Sequence, residues 1–161
     1  MTTEEKGNII INIANNYIGQ QEIPPNTGFQ EKWFEEDLKA VGWQKNFMWC
    51  VLFCKLVYKE AYKLIDISIY TNIIRPLFSA NSQILWKRFK EAGYTSDKPI
   101  PGAIAIWKLS KSRGHAGIVK TVLGDNDFVT IEGNKGDKVS IVNRTIKNKT
   151  GYKLLGFIHP L

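Results

Sequence analysis

The chain has 161 residues, of which 43% are hydrophobic and 12% aromatic, and its net charge is +7. These values suit a single globular domain, expected to span residues 1–161, and exclude a disordered chain. No apolar stretch reaches the roughly 18 residues of a membrane span, and residues 1–16 do not resemble a signal peptide.

The first 93 residues have the hydrophobic periodicity of helices. Thr2 and Glu5 fit a capping box, and apolar residues then follow at helical spacing up to Gly19. Residues 22–28, EIPPNTG, read as a loop because two prolines and a glycine interrupt any helix. A second helix is predicted from about Phe29 to Val41, a third from Trp49 or Cys50, and a fourth over residues 82–92.

Residues 66–81 are apolar but have no clear period, so no element is predicted there.

The first three predicted helices each have an inward face. The residues expected to point inward are Ile10, Ile13, Ala14, Tyr17 and Ile18 in the first helix, Trp33, Phe34, Leu38 and Val41 in the second, and Cys50, Phe53, Cys54, Val57, Tyr58 and Ala61 in the third.

After residue 102 the hydrophobic period changes to two, which predicts strands. The candidates are residues 103–108, 115–122, 128–133, 138–146 and 154–159. The GDND turn at residues 124–127 joins the second and third of these as a hairpin. Helices followed by a run of strands indicate an α+β domain with an antiparallel sheet of about five or six strands.

Both cysteines of the chain, Cys50 and Cys54, lie in the third helix. Their spacing disfavours a disulfide, because a helix holds residues i and i+4 too far apart. A metal site would need further ligands, and His115 and His159 are the only histidines. We therefore expect neither a metal site nor a cofactor, and a core role or a nucleophile remains.

A nucleophilic cysteine needs an activated thiol, a base within reach and a group that orients the base. Cys50 lies in the first turn of its helix, where the helix dipole favours a thiolate and unpaired N–H groups can hold an oxyanion. Cys54 lies one turn deeper, where neither benefit reaches. We therefore select Cys50 as the candidate nucleophile and expect Cys54 in the core.

The predicted hairpin supplies a base and an orienting group. His115 opens one strand between Gly114 and Gly117, which leave room for a substrate backbone, and Glu132 ends the next strand. Antiparallel pairing brings these two strand ends together, so Glu132 or Asn134 can bond one imidazole nitrogen while the other faces Cys50. Taken singly, each residue also fits a solvated strand end or a turn.

These residues together resemble the CHAP family of cysteine, histidine-dependent amidohydrolases and peptidases. The resemblance rests on Cys50 after a tryptophan at a helix start, then GHAGIV, then IEGN, and covers most of the chain through YIGQQEIPPNTG, PIPGAIAIW and GFIHP. One departure is Ala103, where the family usually has aspartate after Pro-Gly. That aspartate is more consistent with a structural role than a catalytic one.

The resemblance implies a papain-like fold and a Cys-His catalytic pair. Cys50 would be the nucleophile and His115 the base and acid, oriented by Glu132 with help from Asn134. Gln44 and Asn46 are candidates for the oxyanion hole beside the Cys50 N–H group. Trp49, Gly114 and Gly117 are candidates for a substrate groove.

The implied substrate is peptidoglycan, cleaved by an amidase or endopeptidase. Residues 101–161 carry 10 basic and 4 acidic side chains, which suits an anionic wall polymer. The alternatives are a protease or effector toxin acting on another amide, and a wall-binding module with a decayed site. We expect a monomer without a nucleic-acid partner, made in the cytosol and delivered by phage release or a route other than Sec export.

Overall fold

The computed structural model describes residues 1–147 and 151–161. Helices precede a six-stranded antiparallel sheet, which confirms the predicted α+β class. The helices are α1 (Thr3–Asn15), α2 (Lys32–Lys39), α3 (Cys50–Ile65), α4 (Ile67–Ile69), α5 (Arg75–Leu77) and α6 (Ser82–Glu91). A π-helical turn, Tyr70–Ile74, connects α4 to α5 in the segment where no element was predicted.

The main sheet contains the five predicted strands and one further short strand. It is formed by β3 (Thr95–Ser96), β4 (Ile104–Lys108), β5 (Gly114–Val122), β6 (Asp127–Glu132), β7 (Ser140–Thr145) and β8 (Lys153–Ile158), in the order β3-β8-β4-β5-β6-β7. The predicted hairpin is confirmed, since β5 pairs antiparallel with β6 around the turn at residues 124–127. The region predicted as a loop contains a second small sheet of β1 (Glu22–Ile23) and β2 (Gly28–Phe29).

Helices α1 and α2 are shorter than predicted. The capping box of α1 is present, with Thr2 and Glu5 bonded reciprocally, but the helix ends at Asn15 and leaves Ile18 exposed. Helix α2 begins at Lys32 because Phe29 belongs to β2. The inward placement of Trp33 was wrong, since 47% of its surface is exposed.

Helix α3 is the central element of the core. Every predicted inward residue of α3 is buried, and so are Val51, Leu52, Leu56 and Tyr62. A helix buried over most of its surface is packed against several other elements, here α1, α2 and the sheet strand β5. The Tyr58 hydroxyl donates to the Gly102 carbonyl at 2.8 Å, which ties α3 to the chain just before β4.

The sheet has apolar residues on both faces. One face, with Ile104, Ile106, Ala116, Ile118 and Ile131, joins the core formed by the helices. The other carries a second cluster of Ala103, Ala105, Trp107, Val119, Phe128 and Phe157. Because side chains alternate along a strand, His115 and Gly117 lie on the face of this second cluster.

In the part of the chain that the structure describes, no helix is both long enough and apolar enough to span a bilayer.

Candidate active site

Cys50 is the first residue of α3, and 6% of its surface is exposed. The preceding residue, Trp49, is packed edge-on against Phe29 and Phe34, with ring centroids 5.0 and 5.8 Å apart. This aromatic packing fixes the point at which α3 begins. The Trp49 side chain accepts no hydrogen bond from the helix as an N-cap, so N–H groups of the first turn remain available at Cys50.

Two cavities meet at Cys50 and share Met48, Arg113 and Gly114. The first arm, of about 320 Å³, is further lined by Phe47, Val51, Ala80, Asn81, Ser82 and Ser112. The second arm, of about 420 Å³, is further lined by Glu22, Pro24, Pro25, Asn26, Leu109, His115, Asn134, Asp137 and Tyr152. Cys50 therefore lies at the junction of a two-armed cleft, and His115 faces the second arm.

His115 is held in place by Glu132. The pairing of β5 with β6 brings the first residues of β5 beside the end of β6, as the hairpin predicted. The Nε2 atom of His115 lies 2.6 Å from Oε2 of Glu132. This contact occupies one imidazole nitrogen, so Nδ1 is the nitrogen left for Cys50.

The carboxylate of Glu132 is fully buried and accepts several hydrogen bonds. Thr130 Oγ1 and Arg144 Nε donate to Oε1 at 2.6 and 2.7 Å, and Arg144 Nη2 donates to Oε2 at 2.7 Å. The Arg144 guanidinium also lies over the rings of Trp107 and Tyr152, 4.7 and 4.9 Å from their centroids. The ion pair and both rings thus fix the carboxylate that orients His115.

Burial and these partners act in opposite directions on both pKa values. Burial raises the pKa of Glu132, but the bonds from His115 and Arg144 outweigh it and bring the pKa to about 2. Burial lowers the pKa of His115, but the Cys50 side chain and Glu132 raise it to about 9. Cys50 and His115 both line the second arm. With these shifts the site favours an imidazolium against a carboxylate at neutral pH.

The structure separates the two cysteines. Cys54 is fully buried in the core, as predicted, and burial raises the pKa of its thiol well above the ordinary value. Cys50 opens into the cleft instead. Of the two, only Cys50 has access to both His115 and a cavity.

Two of the residues expected in the substrate groove, Trp49 and Gly117, do not line the cleft. Trp49 is fully buried in the aromatic cluster, so its side chain has no surface to offer a substrate. Gly117 is also buried, and a Cβ atom there would lie 2.6 Å from Cγ of Glu132. Gly117 therefore makes room for Glu132 rather than for a substrate. Gly114 lines both arms of the cleft, and its role in a substrate groove stays a prediction.

Within residues 1–147 and 151–161, the imidazole of His115 is bonded to Glu132 and not to Asn134, Gln44 or Asn46. Asn134 follows β6 in a left-handed turn, with φ of 56°, and lines the second arm. Gln44 and Asn46 are exposed in the loop before α3 and are not among the residues lining either arm. Their contributions to orientation and to an oxyanion hole stay predictions.

Arg144 was missed from the sequence although a signal existed. In the pairing of β6 with β7, Thr130 lies opposite Val142 and Phe128 opposite Arg144, so Arg144 shares a face with Glu132. A buried carboxylate on that face needs a cation, and alternation along β7 offers Arg144. The position of Glu22 in the cleft was also missed. It depends on Asn26 and Asp137, which lie in loops without a hydrophobic period.

Comparison with protein families agrees with this geometry. The family model described as CHAP domain matches residues 39–134, more than half of the chain and the range that contains Cys50, His115, Glu132 and Asn134. The chain belongs to the CHAP domain family. No curated protein and no solved structure matches it significantly. As a CHAP protein it is a cysteine- and histidine-dependent amidohydrolase or peptidase. Arg144 and Tyr152 lie outside the residues that the family model matches.

Proposed function

We propose that this CHAP protein hydrolyses amide bonds of bacterial peptidoglycan, as an amidase or an endopeptidase. The observation that carries the proposal is the position of Cys50 in an open cleft beside His115, whose Nε2 is bonded to buried Glu132 at 2.6 Å. The wall substrate is supported by the resemblance to cell-wall hydrolases and by the basic second half of the chain.

In the proposed reaction the Cys50 sulfur, as thiolate, attacks the carbonyl carbon of the amide. His115 donates the Nδ1 proton to the leaving nitrogen as the C–N bond breaks, and a thioester on Cys50 remains. A water molecule then attacks the thioester and passes a proton to His115. The C–S bond breaks, and the products are an amine and a carboxylate.

The surrounding residues serve these steps. Glu132 fixes the ring orientation and stabilises the imidazolium, as an orienting carboxylate does in related catalytic triads. The N–H groups at the start of α3 point toward the oxygen that becomes negative during attack, where the helix dipole adds to the stabilisation. The partial burial of the site strengthens these interactions by limiting access of water.

The test is mass spectrometry of the fragments that the protein releases from purified peptidoglycan. Wild type should release fragments whose new ends identify the cleaved amide, and Cys50→Ala should release none. Cys54→Ala is the matched control, since it removes a sulfur one helical turn away that has no access to the cleft. Release by Cys50→Ala, or no release by wild type, would contradict the proposal. Cleavage of other amides, or binding without cleavage, would favour the alternative functions.

A further inference from the structure

Two carboxylates in the second arm take no part in the proposed reaction. Glu22 and Asp137 line this arm together with Cys50 and His115. Their backbones are joined, since the Glu22 N–H donates to the Asp137 carbonyl at 2.8 Å and Gln21 bridges to Lys138. Strand β1 and the loop between β6 and β7 therefore hold both acids at one end of the cleft.

Glu22 lacks the cation that a buried carboxylate needs. Only 4% of its surface is exposed, and its Oε2 accepts the Asn26 N–H at 2.9 Å. Burial and the nearby Asp137 both raise the pKa of Glu22. Among the described residues, no lysine, arginine or histidine forms an ion pair with Glu22 or Asp137. Asp137 is exposed, but burial of the Glu22 carboxylate without a cation costs free energy unless a ligand supplies the charge.

Asn26, which lines the same arm, carries a further acceptor. The Oδ1 atom of Asn26 is buried and has no hydrogen-bond partner within the described part of the chain. Together with the carboxylates of Glu22 and Asp137 it gives three acceptors. An ammonium group has three N–H donors and one positive charge, which matches this set.

We propose that Glu22 and Asp137, with Asn26, bind an ammonium group of the substrate in the second arm. The inference rests on the proposed function and specifies its substrate class, a peptide with a free amine. That amine is either an α-amino group or the side-chain amine of a diamino acid. The first arm offers no such site, because Arg113 is the charged residue among those that line it.

The neighbouring cations do not compete for the subsite. Arg113 lies at the junction of the two arms, and Lys135 lies over the Tyr152 ring, 5.4 Å from its centroid. Neither cation forms an ion pair with Glu22 or Asp137 among the described residues. The acidic side chains of the second arm would therefore stay available to an amine of the substrate.

A purely structural role for Glu22 makes a different prediction. In that case Glu22 only holds the turn at residues 23–27 by accepting the Asn26 N–H. Glu22→Gln keeps the size and an acceptor oxygen but removes the charge. The structural role predicts that this variant binds substrate normally, whereas the ammonium subsite predicts a loss.

The experiment measures binding of lysine-containing stem peptides to the Cys50→Ala protein by calorimetry. Three matched peptides are compared, one unmodified, one acetylated at the side-chain amine and one acetylated at the α-amine. Blocking the recognised amine should weaken binding at least about tenfold, because hydrogen bonds to charged groups are lost. The peptide that loses affinity identifies the source of the ammonium group.

Charge-removing variants then locate the subsite. Glu22→Gln and Asp137→Asn, each added to Cys50→Ala, should abolish the difference between free and blocked peptides. Glu36→Gln, which neutralises an exposed acid on α2, is the matched control and should preserve it. Equal affinity for all three peptides, no binding of any peptide, or an unchanged preference in both charge variants would overturn the subsite.

This outcome is separate from that of the proposed function. Equal affinity of the Cys50→Ala protein for all three peptides, together with cleavage of peptidoglycan by wild type, would reject the subsite alone. Retained amine preference in a protein that cleaves no peptidoglycan would reject the wall substrate alone.

Discussion

Glu132 combines complete burial with a full negative charge, and its partners explain how the fold tolerates this. The carboxylate meets His115, Thr130 and a two-pronged contact from Arg144. Bidentate Arg–carboxylate pairs are among the strongest charge-assisted contacts in proteins. The orientation of His115 on β5 therefore depends on a side chain two strands away, on β7.

Removing Arg144 should damage both stability and activity. In Arg144→Gln the buried carboxylate loses its permanent cation, so the free energy of unfolding should fall by about 3 kcal/mol. The value of kcat/KM should fall as well, because Glu132 no longer holds one position. Arg144→Lys keeps the charge without the two-pronged contact and should be intermediate. Urea unfolding and hydrolysis rates measure these effects, and wild-type values for Arg144→Gln would contradict them.

The two shifted pKa values predict how stability depends on pH. The pKa of Glu132 is lowered to about 2, so its contribution is present above about 4.5 and lost as pH falls toward 2. The pKa of His115 is raised to about 9, so its contribution is present below about 6.5 and lost as pH rises through 9. Urea unfolding from pH 3 to 10 should show both losses in wild type, relative to Glu132→Gln. A difference between the two proteins that is constant with pH would argue against the pair.

Reactivity with iodoacetamide should distinguish the two cysteines. Cys50 opens into the cleft, whereas Cys54 is fully buried with a pKa raised well above the ordinary value. Peptide mapping after labelling of the folded protein should find the adduct on Cys50, and both cysteines should react in urea. Equal labelling in the folded state, or faster labelling of Cys54, would remove the reason for choosing Cys50 as the nucleophile.

At the scale of elements, hydrophobic periodicity predicted α3 and the five longer strands because each buries a repeating set of side chains. It failed for very short strands and for a side chain that packs at the surface. The two-residue strands β1, β2 and β3 are too short to show a period. Trp33 was placed inward by spacing, but it stacks on Tyr17 at the surface instead.

The candidate site was predictable to the extent that it depends on one hairpin. Pairing of β5 with β6 is local in sequence, so His115 and Glu132 could be brought together from the turn between them. Cys50 was selected from its position at a helix start. Placing Arg144 beside Glu132 required the register of β7. Placing Glu22 beside Asp137 required a contact between residues more than 100 positions apart in the chain. A single sequence does not specify these long-range contacts.

Gly117 on β5 leaves the space that the Glu132 side chain occupies. In Gly117→Ala the new methyl group would meet Cγ of Glu132 at 2.6 Å, so the carboxylate must shift from His115. We expect a loss of about 1–3 kcal/mol in stability together with a large loss of hydrolysis. Gly7→Ala is a matched control, because its Cβ would lie 2.5 Å from the Pro101 carbonyl oxygen, away from the cleft. It should lose stability but keep its activity once folded, and equal activity losses in both would refute a specific role for Gly117.

The charge of the whole molecule is unevenly distributed, with +6 of the net +7 in residues 101–161. One pair of these basic residues destabilises the sheet. Lys108 and Lys153 are exposed and lie directly opposite each other on β4 and β8. Like charges in such a cross-strand pair repel, so the pair is unfavourable unless an anion lies between the side chains. An anionic wall polymer would supply one.

Wall binding should therefore weaken as salt concentration rises. Exposed charges are screened over about 8 Å at physiological ionic strength, and the attraction between the sheet and an anionic polymer is of this kind. Pull-down of the Cys50→Ala protein with purified sacculi measures binding without digestion. Lys108→Gln with Lys153→Gln should reduce binding at low salt, while Lys45→Gln with Lys90→Gln, two exposed lysines from the first hundred residues, should reduce it less. Binding that does not change with salt, or a clear preference for DNA over sacculi, would show that the basic half of the molecule serves another partner.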